Sequence, residues 1–190
     1  MIYDIILAGV GGQGVLSVSA IIASSAMRQG LTVKQSEVHG MSQRGGAVLA
    51  NLRLADKPIA SDLIPSGSAA LILSMEPLES MRYLQYLRPD GTVITSSNPL
   101  VNIPDYPDLE GLLARIRALP HAVLIDSEKL AREAGSARAT NMVMVGAASH
   151  TLPVPVEAIE EFIRTMFIRK GEKVVETNLA AFRAGRGAAA

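Results

Sequence analysis

The chain of 190 residues contains no cysteine. That absence excludes disulfides, thiol nucleophiles and any iron–sulfur cluster held by the chain's own thiolates. Charge of one sign is lacking too: Lys+Arg and Asp+Glu both number 18 and no basic run occurs, so neither nucleic acid nor an anionic membrane is favoured as a partner. Hydrophobic residues make up 48% of the sequence, yet no apolar run reaches the roughly 20 residues of a membrane span. The opening MIYDIILAGVGG has no basic region before its apolar stretch and meets glycine too early for a secretion signal. A cytoplasmic protein is expected. Metal and nucleophile signatures are also missing, since no second His, Asp or Glu stands at a metal spacing from His39 and neither a nucleophile elbow nor a Walker lysine occurs.

What is present is an alternation of short β-rich runs with longer helical ones, the pattern of an α/β fold. The expected architecture is a Rossmann-like open, mainly parallel sheet with helices on both faces, formed by one domain over residues 1–184. Residues 3–8 (YDIILA) form a continuous apolar run closed by glycine, as expected of a central strand covered on both faces. A helix follows over 15–29, with Gly30 at the position of a left-handed cap. Strands are predicted at 31–36, 47–54, 69–74, 91–96 and 121–126, and helices at 76–87 and 109–118. Residues 98–108 carry three prolines and read as a loop. Pro153 and Pro155 precede a helix with Val156, Ile159, Ile163 and Met166 on one face and Glu157, Glu160, Glu161 and Arg164 on the other. A last helix is predicted from 174 to 182. The tail AGRGAAA has nothing to bury, so residues 185–190 are expected to fray.

Two stretches carry residues that packing does not require. In GVGGQG, residues 9–14, Gly9, Gly11 and Gly14 fit G-x-G-x-x-G between a strand and a helix, where glycines admit close approach and helix amides hold an anion. Glu37, about 23 positions beyond Gly14, stands where a ribose-binding acid could lie. The same glycines fit a tight turn with no nucleotide equally well. The second stretch, EVHGMSQRGG at 37–46, combines an acid, an imidazole, an amide, a guanidinium and three glycines. Its place after the second strand puts it at the carboxyl edge of the sheet, where ligands and partners of open α/β sheets gather. Arg44 offers a planar fork for carboxylate or phosphate, Ser42 and Gln43 adaptable hydrogen bonds, and His39 a group titrating near neutrality.

GVGGQGVL, then SEVHGMSQRGGAV, then NMVMVGA, in that order over nearly the whole chain, resembles the small subunit of indolepyruvate ferredoxin oxidoreductase. That subunit is the counterpart of the gamma subunit or domain of the 2-oxoacid:ferredoxin (pyruvate/ketoisovalerate) oxidoreductases. The Arg-Gly-Gly ending is common to the family, and the His-Gly-Met-Ser-Gln form is similar to its aryl-pyruvate branch.

The resemblance implies oxidative decarboxylation of a 2-oxoacid, such as indolepyruvate or another arylpyruvate, to an acyl-CoA with reduction of ferredoxin. It also implies that the chain is inactive alone. A large partner subunit would carry thiamine diphosphate, magnesium and the iron–sulfur clusters, and would bring coenzyme A and ferredoxin to the complex. The chain itself lacks a GDG-type thiamine motif.

The contact residues expected here are Gly11, Gly12, Gln13 and Gly14 in a first loop and Glu37, His39, Ser42, Gln43, Arg44, Gly45 and Gly46 in a second. Asn141 is a third element that serves equally as an ordinary N-cap. No catalytic residue and no metal ligand is expected in this chain. Two other readings stand beside this one: a self-sufficient nicotinamide- or flavin-binding Rossmann-type protein, and a nucleotide-sensing module.

Overall fold

The computed structural model describes residues 1–39 and 45–190, the side chain of His39 excepted. Six strands form one sheet: β1 (Ile2–Val10), β2 (Thr32–His39), β3 (Ala47–Ala55), β4 (Ala69–Ser74), β5 (Leu87–Ser96) and β6 (Ala122–Ile125). Their order is β2-β3-β1-β4-β5-β6, so β1 is internal as its apolar run requires. β3 runs antiparallel to both of its neighbours, β1 and β2, while β1, β4, β5 and β6 are joined in parallel. The sheet is therefore mainly parallel with one reversed strand.

Alternate side chains of each strand serve opposite layers. Ile5, Leu7, Leu71 and Leu73 pack beneath α1 (Val15–Arg28), α5 (Thr140–Ala148), α6 (Val156–Phe167) and α7 (Glu172–Ala188). Ile6, Ile72 and Val93 form a second cluster on the other face, near α2 (Pro77–Arg82) and α3 (Leu109–Arg117), which meet through Leu112, Leu113, Leu78 and Met81. The β1–β3 register is pinned by charge as well as by pattern: Asp4 lies opposite Arg53, and its carboxylate accepts two bonds from the guanidinium at 2.8 and 3.0 Å. Asp4 is only 4% exposed, so slipping the register by one residue would strand a buried charge.

Several expected boundaries move, each for a reason of packing. β2 continues to His39, so the first residues of EVHGMSQRGG are strand rather than loop. The helix expected over 76–87 stops at Arg82, a 3-10 turn covers Leu84–Tyr86, and β5 starts at Leu87 instead of residue 91. Ala69 pairs with Leu87 and Leu71 with Thr92, which makes Arg88, Pro89 and Asp90 a bulge, a place where a strand tolerates proline. A short helix, α4 (Ser127–Glu133), was not anticipated.

The largest departure is at the end of the chain. α7 runs to Ala188 where a frayed tail was expected after residue 184. Small residues hold it in place. A β-carbon added to Gly185 would lie 1.9 Å from the Val143 carbonyl oxygen, and one added to Gly146 would lie 1.9 Å from that of Phe182. The two helices thus touch backbone to backbone, and the sequence AGRG that has nothing large to bury supplies the gap that permits it.

Candidate functional site at the carboxyl edge of the sheet

The GVGGQG turn connects β1 to α1. Gly9 is fixed by packing, because a β-carbon there would meet Val15 Cγ2 at 2.8 Å. Gly14 precedes α1 in the left-handed region at φ 80, open to glycine at little cost. Gln13 is tied within the fold: its Oε1 accepts from Val10 N at 2.8 Å and its Nε2 donates to the Met75 carbonyl at 3.3 Å. That amide joins the ends of β1 and β4. Asn141, at the start of α5, packs against the same turn, with its Nδ2 3.0 Å from where a Gly14 β-carbon would stand. Its Oδ1 accepts from Met142 N at 3.1 Å, so the side chain is not an N-cap at the residue preceding the helix.

The two sequence motifs meet. Gly11 N donates to Gly46 O at 2.8 Å, and Gly45 N donates to Gly11 O at 3.4 Å. Asn102, from the proline-rich loop, donates through Nδ2 to Gly45 O at 2.7 Å. Glu37 is exposed on β2 opposite Ala50. Ser42, Gln43 and Arg44 lie outside the described residues, as does the side chain of His39.

The strand order bears on the dinucleotide reading. In that site the acid ends the strand next to the glycine turn, whereas here β3 lies between β1 and β2. Glu37 is thereby two strand spacings, about 9 to 10 Å, from the β1 line. Packing and turn geometry account for Gly9 and Gly14 without a nucleotide.

A cavity of about 370 Å³ opens where α1 leaves one face of the sheet and α2 the other. Gly12 and Gln13, Met75, Ser96, Asn98 and Ser127 line it, with Glu128 and Arg132 at α4. Asn98 organises this wall: its Oδ1 accepts from Ser96 Oγ, Ser127 Oγ and Glu128 N, and its Nδ2 donates to Asp126 Oδ1. Burial alone would raise the Asp126 pKa, but the Asn98 and Lys129 N–H donors outweigh it and hold the carboxyl below its usual range. Behind the wall, Glu76 is 1% exposed and accepts from Glu79 N, Leu100 N and the Tyr106 hydroxyl. Burial, then donation to Glu76, raises the Tyr106 pKa. The loop over 98–108 is thus anchored at both ends of its path. Sequence reasoning missed Asn98, Asn102, Glu76 and Tyr106, whose roles depend on partners 24 to 57 positions away.

No group of three or more His, Cys, Asp or Glu could hold a metal among the described residues. Around the joined motifs stand three exposed apolar side chains, Leu16, Val38 and Val101. Among the described residues, the edge offers no nucleophile with an adjacent base.

The chain has relatives over its full length. It is 38% identical to the indolepyruvate oxidoreductase subunit IorB of Methanothermobacter thermautotrophicus, covering 100% of this chain and 99% of that one. With the IorB subunit of Pyrococcus horikoshii it shares 37% identity over 98% of this chain and 96% of the other. Among solved structures, it superposes with a TM-score of 0.76 on the pyruvate oxidoreductase subunit PORC of Thermotoga maritima, at 24% identity and covering 98% and 96% of the two chains. The pyruvate ferredoxin/flavodoxin oxidoreductase family model matches residues 4–188. The chain belongs to that family, as a small subunit of the 2-oxoacid:ferredoxin oxidoreductase type.

Proposed function

We propose that the protein is the small subunit of an indolepyruvate or arylpyruvate ferredoxin oxidoreductase. Its activity is exerted only in complex with a large subunit in the cytoplasm. The supporting observation is the pair of backbone bonds that join Gly11 to Gly45 and Gly46, near exposed Leu16, Val38 and Val101. An edge with exposed apolar side chains at its rim suits a surface completed by another chain.

Among the described residues the chain offers no ligand set for the clusters or the magnesium of the reaction. It has no cysteine for a cluster and no metal-holding group among the described residues. Thiamine diphosphate, magnesium and the clusters are proposed to lie in the large subunit. What this chain contributes is a rigid edge, with Gln13 locking β1 to β4 and Asn98 locking β5 to β6 and α4. On it Gly11, Gly12, Gly14, Glu37, His39, Ser42, Gln43 and Arg44 are proposed to meet the partner.

The purified chain is expected to give no CoA-dependent reduction of ferredoxin with indolepyruvate, and to support it when combined with the large subunit. Turnover by the chain alone, or failure of the two to copurify, would overturn this reading.

A further inference from the structure

The loop over residues 98–108 leaves β5 and reaches along the carboxyl edge of the sheet. Within the strand order β3-β1-β4-β5, its Asn102 bonds to Gly45, just before β3, so the loop spans three strand spacings, about 14 Å. A loop of that reach needs an anchor. Glu76, which follows β4, supplies it: Leu100 N on the outgoing limb and the Tyr106 hydroxyl on the returning limb donate to the same oxygen, Oε1, while Oε2 accepts from Glu79 N in α2. One carboxylate thereby closes the neck of the loop, with Asn102 between the two limbs. Apolar burial contributes little to the stretch between them, since Val101, Pro104 and Asp105 are exposed. Glu76 itself is 1% exposed, and burying a carboxylate is a cost that a loose surface connection would not require.

The far end of this path is the junction between the second motif and β3. Gly45 stands at φ 79, and nothing lies within 4 Å of an added β-carbon, so glycine serves the backbone conformation there rather than a lack of space. Three successive peptide units are held. Gly45 N donates to Gly11 O, the Gly45 carbonyl accepts from Asn102 Nδ2, and the Gly46 carbonyl accepts from Gly11 N. Gly11 thus fixes the first and the third. The middle unit joins two glycines, the residues with most backbone freedom to lose, and Asn102 holds it at 2.7 Å.

We propose that Asn102 is a positioning residue for the second motif, carrying to Gly45 a constraint set at Glu76, so that the surface this edge presents to a large subunit depends on the closed neck of the loop. The inference rests on the functional reading above only for its consequence in the complex. A purely local role for Asn102 would leave the pairing of Gly11 with Gly45 and Gly46 indifferent to Tyr106.

Backbone amide shifts in the purified chain, together with its affinity for the large subunit, test the proposal. Asn102→Asp keeps the shape of the side chain but sets a carboxylate against the Gly45 carbonyl. It is expected to shift the Gly11, Gly45 and Gly46 amides and to weaken binding of the large subunit by about tenfold, with an unchanged melting temperature. Asn102→Gln retains the donor and restores most of the affinity. Tyr106→Phe moves the same three amides in the same direction and adds nothing further when combined with Asn102→Asp, whereas Asp105→Asn, exposed on the same loop, changes neither readout. Thermal unfolding of each variant confirms that the fold is retained. Shifts confined to residues 100–106, shifted glycine amides with undiminished binding, or additive effects of Tyr106→Phe and Asn102→Asp would overturn the positioning role. Failure of the wild-type chain to bind the large subunit would instead overturn the functional reading, and the glycine amides in Asn102→Asp and Tyr106→Phe would still decide the coupling.

Discussion

Gly146 and Gly185 show how much a single hydrogen in place of a methyl can decide. Each faces a carbonyl oxygen of the opposite helix at a distance no β-carbon can occupy, so Gly146→Ala or Gly185→Ala must push α5 and α7 apart. A loss of about 3 kcal/mol or more is expected in urea unfolding, at or above the usual range for overpacking. Gly187→Ala is the control: nothing lies within 4 Å of its added β-carbon, and stability should be unchanged or rise by less than about 1 kcal/mol. Arg44 belongs to the same scale though it lies outside the described residues. If its fork meets a carboxylate or phosphate at the complex, Arg44→Lys keeps the charge and loses the geometry. The expected cost in complex affinity or in apparent affinity for CoA is about 2 to 5 kcal/mol with an unchanged melting temperature. A loss well under about 1 kcal/mol in both Arg44→Lys and Arg44→Ala would return Arg44 to the ordinary exposed arginines.

Elements are held together here by ion pairs and amides as well as by apolar faces. α6 meets α7 through Glu160 and Arg183, at 2.7 and 2.8 Å in a two-pronged contact. The Arg183 guanidinium holds the Glu160 carboxyl below its ordinary pKa. An acid whose folded pKa is depressed contributes stability above its unfolded pKa, near about 4.3, and loses it as pH falls through the folded value. Comparing the unfolding free energy of wild type and Glu160→Gln from about pH 6 to about pH 3 should therefore show a difference that shrinks as pH falls. Its size should stay below about 1 kcal/mol, since Arg183 is more than half exposed. A constant difference across that range would show that Glu160 acts through packing instead. The boundaries that moved also belong at this scale: β5 reached back to Leu87 because a bulge absorbed Pro89, and α7 reached Ala188 because α5 offered glycine to glycine contact.

At the level of the whole molecule, a balanced charge and a rim of exposed apolar side chains describe a surface suited to a partner chain. Val38→Asp and Val101→Asp are expected to weaken binding to the large subunit by about tenfold or more, about 1.4 kcal/mol each, without lowering the melting temperature. Undiminished assembly would place the interface elsewhere. By itself the sequence determined the α/β class, the internal place of β1, the glycine turn and the family, because these rest on local periodicity and on motifs contiguous in the chain. It also determined that no cluster can be held by this chain's thiolates, because composition alone settles that. Only the tertiary structure decided that β3 separates β2 from β1, that Gly11 bonds to Gly45 and Gly46, that Gln13 is tied within the fold, and that Asn98, Glu76 and Tyr106 build the wall behind the edge. Those facts depend on strand order and on side chains meeting across tens of positions, and a local pattern carries no information about which distant partner will satisfy a buried polar group.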